Sequence, residues 1–343
     1  MVAAKATRRT RSRRPRAAGA PSPWGHASVG VDLGGTKILL GVVDARGAVL
    51  DTERLPTRAE RPASAIVDDI VGCVRDRWAD RLPARAPLGV GVAGQVDADG
   101  TVLFGPNLNW HDVPLGRRLA RSLRRPVAVM NDVQAATFGE WRHGAGVGAN
   151  DLVCVFVGTG VGGGIVVDGR LCHGASGTAG ELGHLTVARD GRKCRCPNSG
   201  CLEAYAGGWA IAERAREAIG QHPEAGRRLV AIAGETGAVT AETVAEAYRS
   251  DDPLAQELVE ETMGYLVCGL VSVVNAVNPS TIVLGGGVME GFSSLVPSLG
   301  RQVKARALPA ASVRLEVVPA RLGGDSGMVG AATYARTAGR GVP

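Results

Sequence analysis

The sequence predicts an α/β protein built from two related domains. Apolar, strand-like runs alternate with segments of helical periodicity along most of the 343 residues, which is the pattern of α/β proteins. A strand, glycine turn, strand unit also occurs twice. At an offset of 124 residues, Val29, Val31, Gly34, Val42, Val43 and Asp44 match Val153, Val155, Gly158, Val166, Val167 and Asp168. This repeat predicts an internal duplication, with two glycine turns facing each other across a cleft.

The first half of the chain opens with three predicted strands and then alternates helices and strands. The strands are 28–32, 38–44, 48–53, 88–92, a pair that ends near residue 104, and 127–130; the helices are 63–79, 115–123 and 133–141. Residues 105–110 are a predicted loop. Asp132 follows a strand end, where α/β folds place ligand-binding groups. From local sequence alone, an ordinary helix N-cap is the favoured interpretation of Asp132.

The second half repeats the alternation. It begins with a strand at 152–157, the turn 158–164 and a strand at 165–167. Helices are predicted at 202–219, 242–249, 254–277 and 325–337, and strands at 281–284 and 313–318. Asn278-Pro279 ends the long helix. The strand at 281–284 opens into Gly285-Gly286-Gly287, which is either a ligand-binding turn or an ordinary tight turn.

Charge and hydropathy separate a basic N-terminal segment from the rest of the chain. Seven of the basic residues precede the first acidic residue, Asp32, and without them the formal charge falls from +6 to −1. Prolines in this segment favour a disordered, solvated tail over residues 1–28 rather than a nucleic-acid or lipid anchor. The longest apolar run, 266–277, is shorter than the roughly 18 residues of a membrane span. We therefore expect no membrane helix.

A histidine and three cysteines form a candidate metal site. His184 follows Gly180-Glu181-Leu182-Gly183, and Cys194, Cys196 and Cys201 come shortly after it. Four nitrogen and sulfur ligands are what a closed, structural zinc site requires. A core histidine and two surface glutamates, Glu181 and Glu203, are the simpler alternatives. An odd total of seven cysteines, clustered in this way, indicates a reducing compartment, so we expect a cytoplasmic protein.

Together these motifs resemble the ROK family, which contains bacterial sugar kinases such as glucokinases and sugar-responsive repressors. The resemblance runs from Val29 to about residue 336 and rests on Asp-Leu-Gly-Gly-Thr-Lys at 32–37, the glycine turn 158–164, the segment 180–184 and the cysteine motif 194–203. One position departs from the family pattern. Pro197, with its fixed φ, stands where the family usually has glycine after the second cysteine. The ligand spacing is unchanged, so a metal is still expected.

The resemblance implies an actin/hexokinase-like (ribonuclease H-like) fold with a cleft between duplicated domains. The expected organisation is a disordered basic tail (1–28), a small α/β domain (29–130) to which the helix 325–337 returns, and a large α/β domain (131–324) that contains the zinc loop. It also implies homodimers or homotetramers.

The resemblance further assigns roles to individual residues. Asp132 would be the catalytic base. The sugar-binding set would be Asn107, Asn131, Asp132, Glu181, His184 and Glu203. The ATP and Mg²⁺ set would be Asp32, Gly34, Gly35, Thr36, Lys37, Thr159, Gly160, Gly285, Gly286 and Gly287. The structural Zn²⁺ would be held by His184, Cys194, Cys196 and Cys201.

The expected activity is transfer of the γ-phosphoryl group of ATP to a hexose hydroxyl, with glucose 6-phosphate as the leading product. The motifs leave open N-acetylmannosamine, N-acetylglucosamine or fructose as the acceptor, and polyphosphate as the donor. A ROK transcription regulator is disfavoured, because the segment before the first strand is too short and too rich in proline and arginine for a helix-turn-helix. No specific nucleic-acid partner is expected.

Overall fold

The computed structural model describes residues 22–338, so the predicted basic tail lies outside the described residues up to residue 21. Residues 22–28 have defined structure and are not a disordered tail. They form a 3-10 turn, Pro23–His26, followed by the first strand, which begins at Ser28. The turn is held in place because the Arg81 guanidinium lies 3.7 Å from the centre of the Trp24 ring.

The described residues form thirteen strands and twelve α-helices. The strands are β1 (Ser28–Leu33), β2 (Lys37–Val43), β3 (Val49–Pro56), β4 (Leu88–Val92), β5 (Gln95–Val96), β6 (Val102–Gly105), β7 (Trp110–Val113), β8 (Val127–Asn131), β9 (Leu152–Val157), β10 (Val161–Val167), β11 (Arg170–Leu171), β12 (Thr281–Gly285) and β13 (Glu316–Pro319). The helices are α1 (Ala63–Trp78), α2 (Leu115–Leu123), α3 (Asp132–His143), α4 (Glu203–Ala206), α5 (Gly208–Gln221), α6 (Arg227–Ala233), α7 (Ala241–Tyr248), α8 (Pro253–Val277), α9 (Gly287–Gly291), α10 (Val296–Arg306), α11 (Pro309–Ser312) and α12 (Ser326–Ala338).

Two five-stranded sheets share one topology. Their strand orders are β3-β2-β1-β4-β8 and β11-β10-β9-β12-β13. In each sheet an antiparallel hairpin precedes two parallel strands. The offset of 124 residues seen in the sequence carries β1 onto β9 and β2 onto β10 without a shift at either end. The predicted duplication is therefore present as two equivalent sheets. The strands β5, β6 and β7 form a separate small sheet.

The C-terminal helix α12 lies on the first sheet and crosses α3. Glycines make this close approach sterically allowed. A Cβ at Gly30 would overlap the backbone of Met328, and one at Gly89 would overlap the backbone of Ala331. At the helix crossing, a Cβ at Gly330 would overlap the carbonyl group of Ala135. The backbone of α12 therefore rests directly on two strands and on α3.

The two sheets have separate apolar cores. One face of the first sheet packs on α1 and α2, with Ile66, Ile70 and Leu115 fully buried. The second sheet packs on α5, α7, α8 and α10 through the largest cluster of buried residues, and its other face covers Trp141 of α3. Within residues 22–338 no helix is both long enough and apolar enough to cross a membrane.

Four local predictions need correction. The predicted helix 202–219 is interrupted at Gly207, whose extended ψ separates α4 from α5. The predicted strand 313–318 starts only at Glu316, because the preceding residues form α11 and Val313 is 78% exposed. The predicted loop 105–110 contains a 3-10 turn and the first residue of β7. Neither α6, which buries only Leu229, nor α10 was predicted from the sequence.

Candidate functional site

The candidate site lies where parallel strands of both sheets end. The strands β1, β4 and β8 run parallel and finish at Leu33, Val92 and Asn131. In the second sheet, β9 and β12 run parallel and lead into Gly158 and Gly286. Ligands of α/β proteins bind beyond the carboxyl ends of strands. The predicted site residues at the ends of these strands therefore lie at the sheet edges where a ligand is expected.

The first glycine loop joins β1 to β2. The N–H of Gly34 donates to the carbonyl of Lys37 across 3.1 Å, which closes the turn. Buried Thr57 secures it, because its hydroxyl donates to the carbonyl of Gly34 and its N–H to the carbonyl of Thr36. Among the described residues, the N–H groups of Gly35 and Thr36 have no acceptor. Free backbone N–H groups in a tight turn suit an anion such as phosphate.

Two largely buried carboxylates lie beside this loop. Burial first, and then the negative charge of Asp132, raise the pKa of Asp32 to about 7, and the positive charge of Lys37 partly opposes them. Burial also raises the pKa of Asp132, with the charge of Glu181 adding to the effect and the N–H of Val133 opposing it. Asp32, Asp132 and Glu181 thus form one cluster of acidic groups. Such a cluster favours a bound cation or a proton shared with a ligand.

Helix α3 begins directly after β8, and its N-cap is not Asp132, the residue that local sequence alone favoured for that role. Asn131, not Asp132, is the N-cap, since its Oδ1 accepts from the N–H groups of Val133 and Gln134. Its Nδ2 donates to the carbonyl of Gly94. Asp132 is the first helical residue, and its Oδ1 accepts from the N–H of Val133 at 2.9 Å. Because Asn131 caps the helix, the carboxylate of Asp132 is not needed as the cap.

Asn107 lies over the first glycine loop. It occupies the 3-10 turn Pro106–Leu108 between β6 and β7 and is exposed. A Cβ at Gly35 would lie 2.9 Å from the Cβ of Asn107. The small sheet therefore brings a predicted sugar-binding residue next to a predicted phosphate-binding turn.

The second glycine loop, residues 158–161, joins β9 to β10. Its N–H at Gly158 donates to the carbonyl of Gly160 across 2.9 Å. The carbonyls of Gly158 and Thr159 accept from the first two N–H groups of α5, at Gly208 and Trp209. Within residues 22–338 the N–H groups of Thr159 and Gly160 have no acceptor. This loop matches the first in offering free N–H groups.

The third glycine segment, Gly285-Gly286-Gly287, connects β12 to α9. Gly286 has a φ of +88°, and a Cβ there would overlap the carbonyl of Val157. Gly287 begins α9 and has open space around its Cα. The glycine at 286 is thus required by the backbone itself, while the opening at 287 leaves room for a ligand to approach.

The four predicted metal ligands come together. The donor atoms of His184, Cys194, Cys196 and Cys201 all lie within 4.8 Å of one another. The Nδ1 of His184 is 3.8 Å from the Sγ of Cys194, and the sulfurs of Cys196 and Cys201 are 3.6 Å apart. Zn–S bonds of about 2.3 Å in a tetrahedron separate ligand atoms by roughly 3.5–3.8 Å. One nitrogen and three sulfurs at these separations fit zinc.

Pro197 is compatible with this cluster. It lies in a tight turn that is closed by the N–H of Cys194 donating to the carbonyl of Asn198 across 3.2 Å. Lys193 and Ser199 pair on either side of the turn, and the Nζ of Lys193 donates to the carbonyl of Pro197. Proline has no N–H to donate, and the hydrogen bonds that close this turn do not use the N–H of residue 197.

The two predicted sugar-binding glutamates have different surroundings. The Oε2 of Glu181 lies 4.0 Å from the Nε2 of His184, which is the ring nitrogen that does not face the cysteines, and the carboxylate is half exposed. This distance is too long for a hydrogen bond, so Glu181 lies near the ring nitrogen without holding it. Both oxygens of Glu203 already have partners. Oε2 accepts from the N–H of Val161, and Oε1 accepts from the indole of Trp209.

Sequence reasoning missed two residues that shape the site. Buried Gln134 donates from Nε2 to the carbonyls of Gly177 and Ala179, and its Oε1 is 3.2 Å from the Nδ1 of His173. It thereby holds the segment that leads into Glu181. Trp209 joins Glu203 to the second glycine loop. Neither has a sequence signal, because each acts on a segment about 40 to 50 residues away.

The arrangement suits transfer of a charged group between two ligands. Two glycine loops offer N–H groups to anions, and the carboxylate of Asp132 lies near those of Asp32 and Glu181. Comparison with known proteins agrees with this description. The sequence profile of the ROK family matches residues 28–338. The chain belongs to the ROK family.

Relatives within the ROK family include enzymes and solved structures. A glucokinase of Halalkalibacterium halodurans is 35% identical over 307 residues, 88% of this chain and 92% of the relative. The structure of a ROK family glucokinase from Streptomyces griseus in complex with glucose and AMPPNP superposes with a TM-score of 0.76 at 35% identity, covering 91% of this chain and 99% of that one. A ROK hexokinase from Thermus thermophilus gives 0.75 at 32% identity, covering 92% and 99%. The family and the fold predicted from the sequence are confirmed.

Proposed function

We propose that this ROK protein is an ATP-dependent sugar kinase that transfers the γ-phosphoryl group of ATP to a hydroxyl of a hexose, with glucose converted to glucose 6-phosphate as the leading reaction. The observation that carries this proposal is the largely buried carboxylate of Asp132, which directly follows β8 and lies near Asp32 and Glu181. The glucokinases among its relatives support glucose as the acceptor.

Asp132 would act as the general base. Phosphoryl transfer needs little covalent help from the protein, but the attacking hydroxyl must be oriented and must lose a proton. A base works best when its pKa lies close to the working pH. Burial raises the pKa of Asp132 in that direction, and its bond to Val133 keeps the carboxylate fixed.

The sugar would be held by polar groups around Asp132. Asn107, Asn131, Glu181, His184 and Glu203 remain the proposed contacts. Asn131 and Glu203 already serve the protein, as the α3 cap and as the partner of Val161 and Trp209, so they would bind the sugar with their remaining hydrogen-bonding capacity. A sugar hydroxyl can both donate and accept a hydrogen bond. It can therefore pair with the donor and acceptor capacity that these side chains still have.

The nucleotide would lie across the two glycine loops. Gly34, Gly35 and Thr36 would offer backbone N–H groups, and Lys37 a positive charge, to the phosphates from one side; Thr159 and Gly160 would do so from the other. Gly285, Gly286 and Gly287 would border the adenosine. Mg²⁺, when bound with ATP, would neutralise phosphate charge, and Asp32 is the residue we propose to hold it through water, since the acidic cluster favours a cation.

The proposed metal is a structural Zn²⁺ held by His184, Cys194, Cys196 and Cys201. A closed set of four protein ligands supplies folding energy rather than chemistry. The zinc loop carries His184 at one end and leads into Glu203 at the other, so the ion would fix part of the sugar-binding wall.

We also propose that the chain divides into a basic tail (1–28), a small domain (29–130) joined by the C-terminal helix, and a large domain (131–324). The described part of the tail, from residue 22 onwards, is structured. Assembly into homodimers or homotetramers and a cytoplasmic location complete the proposal. The location is supported by the seven cysteines, none of which is paired in a disulfide, since free thiols are typical of reducing compartments.

A coupled phosphorylation assay tests the proposal. The purified protein is given ATP and Mg²⁺ with glucose, fructose, N-acetylglucosamine and N-acetylmannosamine in separate reactions, and polyphosphate replaces ATP in a parallel series. We expect the highest kcat/KM with glucose and ATP. Absence of ADP formation with every sugar would contradict the kinase proposal, and a preference for another sugar or for polyphosphate would correct the acceptor or the donor.

A further inference from the structure

Trp209 occupies a position between the zinc loop and the second glycine loop. Its backbone N–H donates to the carbonyl of Thr159 across 3.1 Å, and its indole N–H donates to the Oε1 of Glu203 across 3.3 Å. The guanidinium of Arg195, which stands between two of the cysteines, lies 4.4 Å from the centre of the indole ring. The Trp209 side chain therefore contacts the zinc loop at Arg195 and Glu203 just after that loop, while its backbone N–H contacts the glycine loop.

The contact with Thr159 orients the part of the loop that would bind phosphate. The carbonyls of Gly158 and Thr159 both point to the start of α5, where Gly208 and Trp209 donate to them. The described peptide bonds are all trans. In a trans peptide the N–H points opposite to the carbonyl. The N–H groups of Thr159 and Gly160 must therefore point away from α5, towards the open side of the loop.

Glu203 fixes the other end of the same loop. Its Oε2 accepts from the N–H of Val161 across 2.9 Å, while its Oε1 is held by Trp209. The fit is tight, because a Cβ at Gly160 would overlap this carboxylate. Hydrogen bonds to a charged carboxylate are stronger than those between neutral groups. Glu203 comes two residues after Cys201, so the end of the zinc loop is bonded directly to the phosphate-binding turn.

We propose that Trp209 is a positioning residue that couples the zinc loop to the donor side of the site. It holds Glu203 through its indole N–H, and through Glu203 it sets the second glycine loop in the conformation that receives the phosphates of the nucleotide. This inference rests on the proposed kinase function. It extends that function by assigning the zinc loop an effect on nucleotide binding in addition to its place in the sugar-binding wall.

The test compares two tryptophan substitutions. Trp209→Phe removes the indole N–H and keeps both the ring beneath Arg195 and the backbone bond to Thr159. Trp141→Phe is the matched control, because it also removes one indole hydrogen bond, that to the carbonyl of Ala149, outside the site. The affinity for the non-hydrolysable nucleotide AMPPNP with Mg²⁺ is measured by calorimetry, together with KM and kcat and with the change in tryptophan emission on nucleotide binding.

We expect Trp209→Phe to weaken AMPPNP binding about five- to tenfold, which is within the net contribution of one ordinary intramolecular hydrogen bond. The KM for ATP should rise in parallel, with kcat changing less, and most of the nucleotide-dependent change in emission should disappear. Trp141→Phe should stay within twofold of the parent protein. Equal affinity in both variants would overturn the inference alone. Failure of the parent protein to bind AMPPNP would overturn it together with the kinase proposal.

A second variant protects the test against misfolding. Arg195 is exposed, so Arg195→Ala leaves the packed core intact while removing the cation above the Trp209 ring. We expect about two- to threefold weaker AMPPNP binding. Removing the bound metal from the parent protein should weaken AMPPNP binding more than the same treatment of Trp209→Phe. An equal effect of metal removal on both proteins would contradict coupling through Trp209.

Discussion

Asp32 at the end of β1 and Asp132 just after β8 present two buried carboxylates to the same part of the cleft. Burial, and after it the negative charge of Asp132, raise the pKa of Asp32 to about 7. The parallel pairing of β1 with β4 and of β4 with β8 brings them together, although 100 residues separate them in the chain. We therefore expect the protein's stability and its activity to depend on pH.

Asp32→Asn should stabilise the protein above neutral pH. The folded protein holds a proton on Asp32 up to about pH 7, whereas the ordinary pKa is 3.8. The stability that this group contributes is therefore present below about pH 4 and is lost as pH rises through 7. At pH 8 without Mg²⁺ or nucleotide, the substitution should add on the order of 2–4 kcal/mol, and at pH 4 almost nothing.

The measurement is the melting temperature of both proteins at several pH values. Asp168→Asn is the control, since Asp168 is exposed and outside the cleft. Parallel melting curves for the parent protein and Asp32→Asn across this range would show that the carboxyl of Asp32 keeps an ordinary pKa.

Asp132→Asn should abolish most of the activity while leaving the fold intact. An amide oxygen can still accept from the N–H of Val133, so helix α3 keeps its first turn. Loss of a general base lowers kcat by about 10²–10⁴. Steady-state kinetics with ATP and glucose would measure this, with KM for ATP expected within about threefold of the parent value. A kcat within tenfold of the parent protein would remove Asp132 from the role of base.

Metal analysis should find about one zinc per chain. Cys201→Ser removes a buried ligand and should release the ion, lower the melting temperature by roughly 5–15 °C, and raise the KM for glucose. Cys268→Ser is the control, because Cys268 lies on α8 and outside the cluster. Full metal content and unchanged sugar affinity in Cys201→Ser would argue against the four-ligand site.

Gln134→Leu should weaken sugar binding more than nucleotide binding. The amide holds the carbonyls of Gly177 and Ala179, and leucine leaves both without this donor. We expect KM for glucose to rise about tenfold, since an unpaired buried polar group costs about 1–3 kcal/mol. KM for ATP should stay within twofold. Gln221→Leu, at the exposed end of α5, provides the comparison; if both variants behave alike, Gln134 does not position the Glu181 segment.

Gly330→Ala and Gly264→Ala should have opposite effects on stability. A Cβ at Gly330 would overlap the carbonyl of Ala135 where α12 crosses α3, so alanine must push the helices apart and should cost more than about 2 kcal/mol. Gly264 lies in α8 with open space around it, and alanine there should add up to about 1 kcal/mol. Urea unfolding measures both. A neutral Gly330→Ala would mean that the crossing is looser than the structure shows.

Local patterns in the sequence predicted the parts of this protein that depend on neighbouring residues. The strands β1 and β2 and their copies β9 and β10 follow from alternating apolar runs around glycine turns, and the duplication follows from their fixed offset. The four proposed metal ligands were predicted from the spacing of one histidine and three cysteines within a short segment. The same local reasoning placed Asp132 at a strand end. It made Asp132 a candidate cap, whereas the neighbouring Asn131 has that role.

Only the tertiary structure decided how these parts work together. The hydrogen bond from Trp209 to Glu203 lies beside the second glycine loop because α5 packs against that loop, which is some 50 residues earlier in the chain. The hydrogen bond from Gln134 to Gly177 joins segments 43 residues apart. The packing of α12 on β1 brings together the first strand and the last helix of the described residues. Sequence periodicity reports which face of an element is apolar. It does not indicate which distant segment packs against that face. The candidate site is formed by such contacts between distant segments.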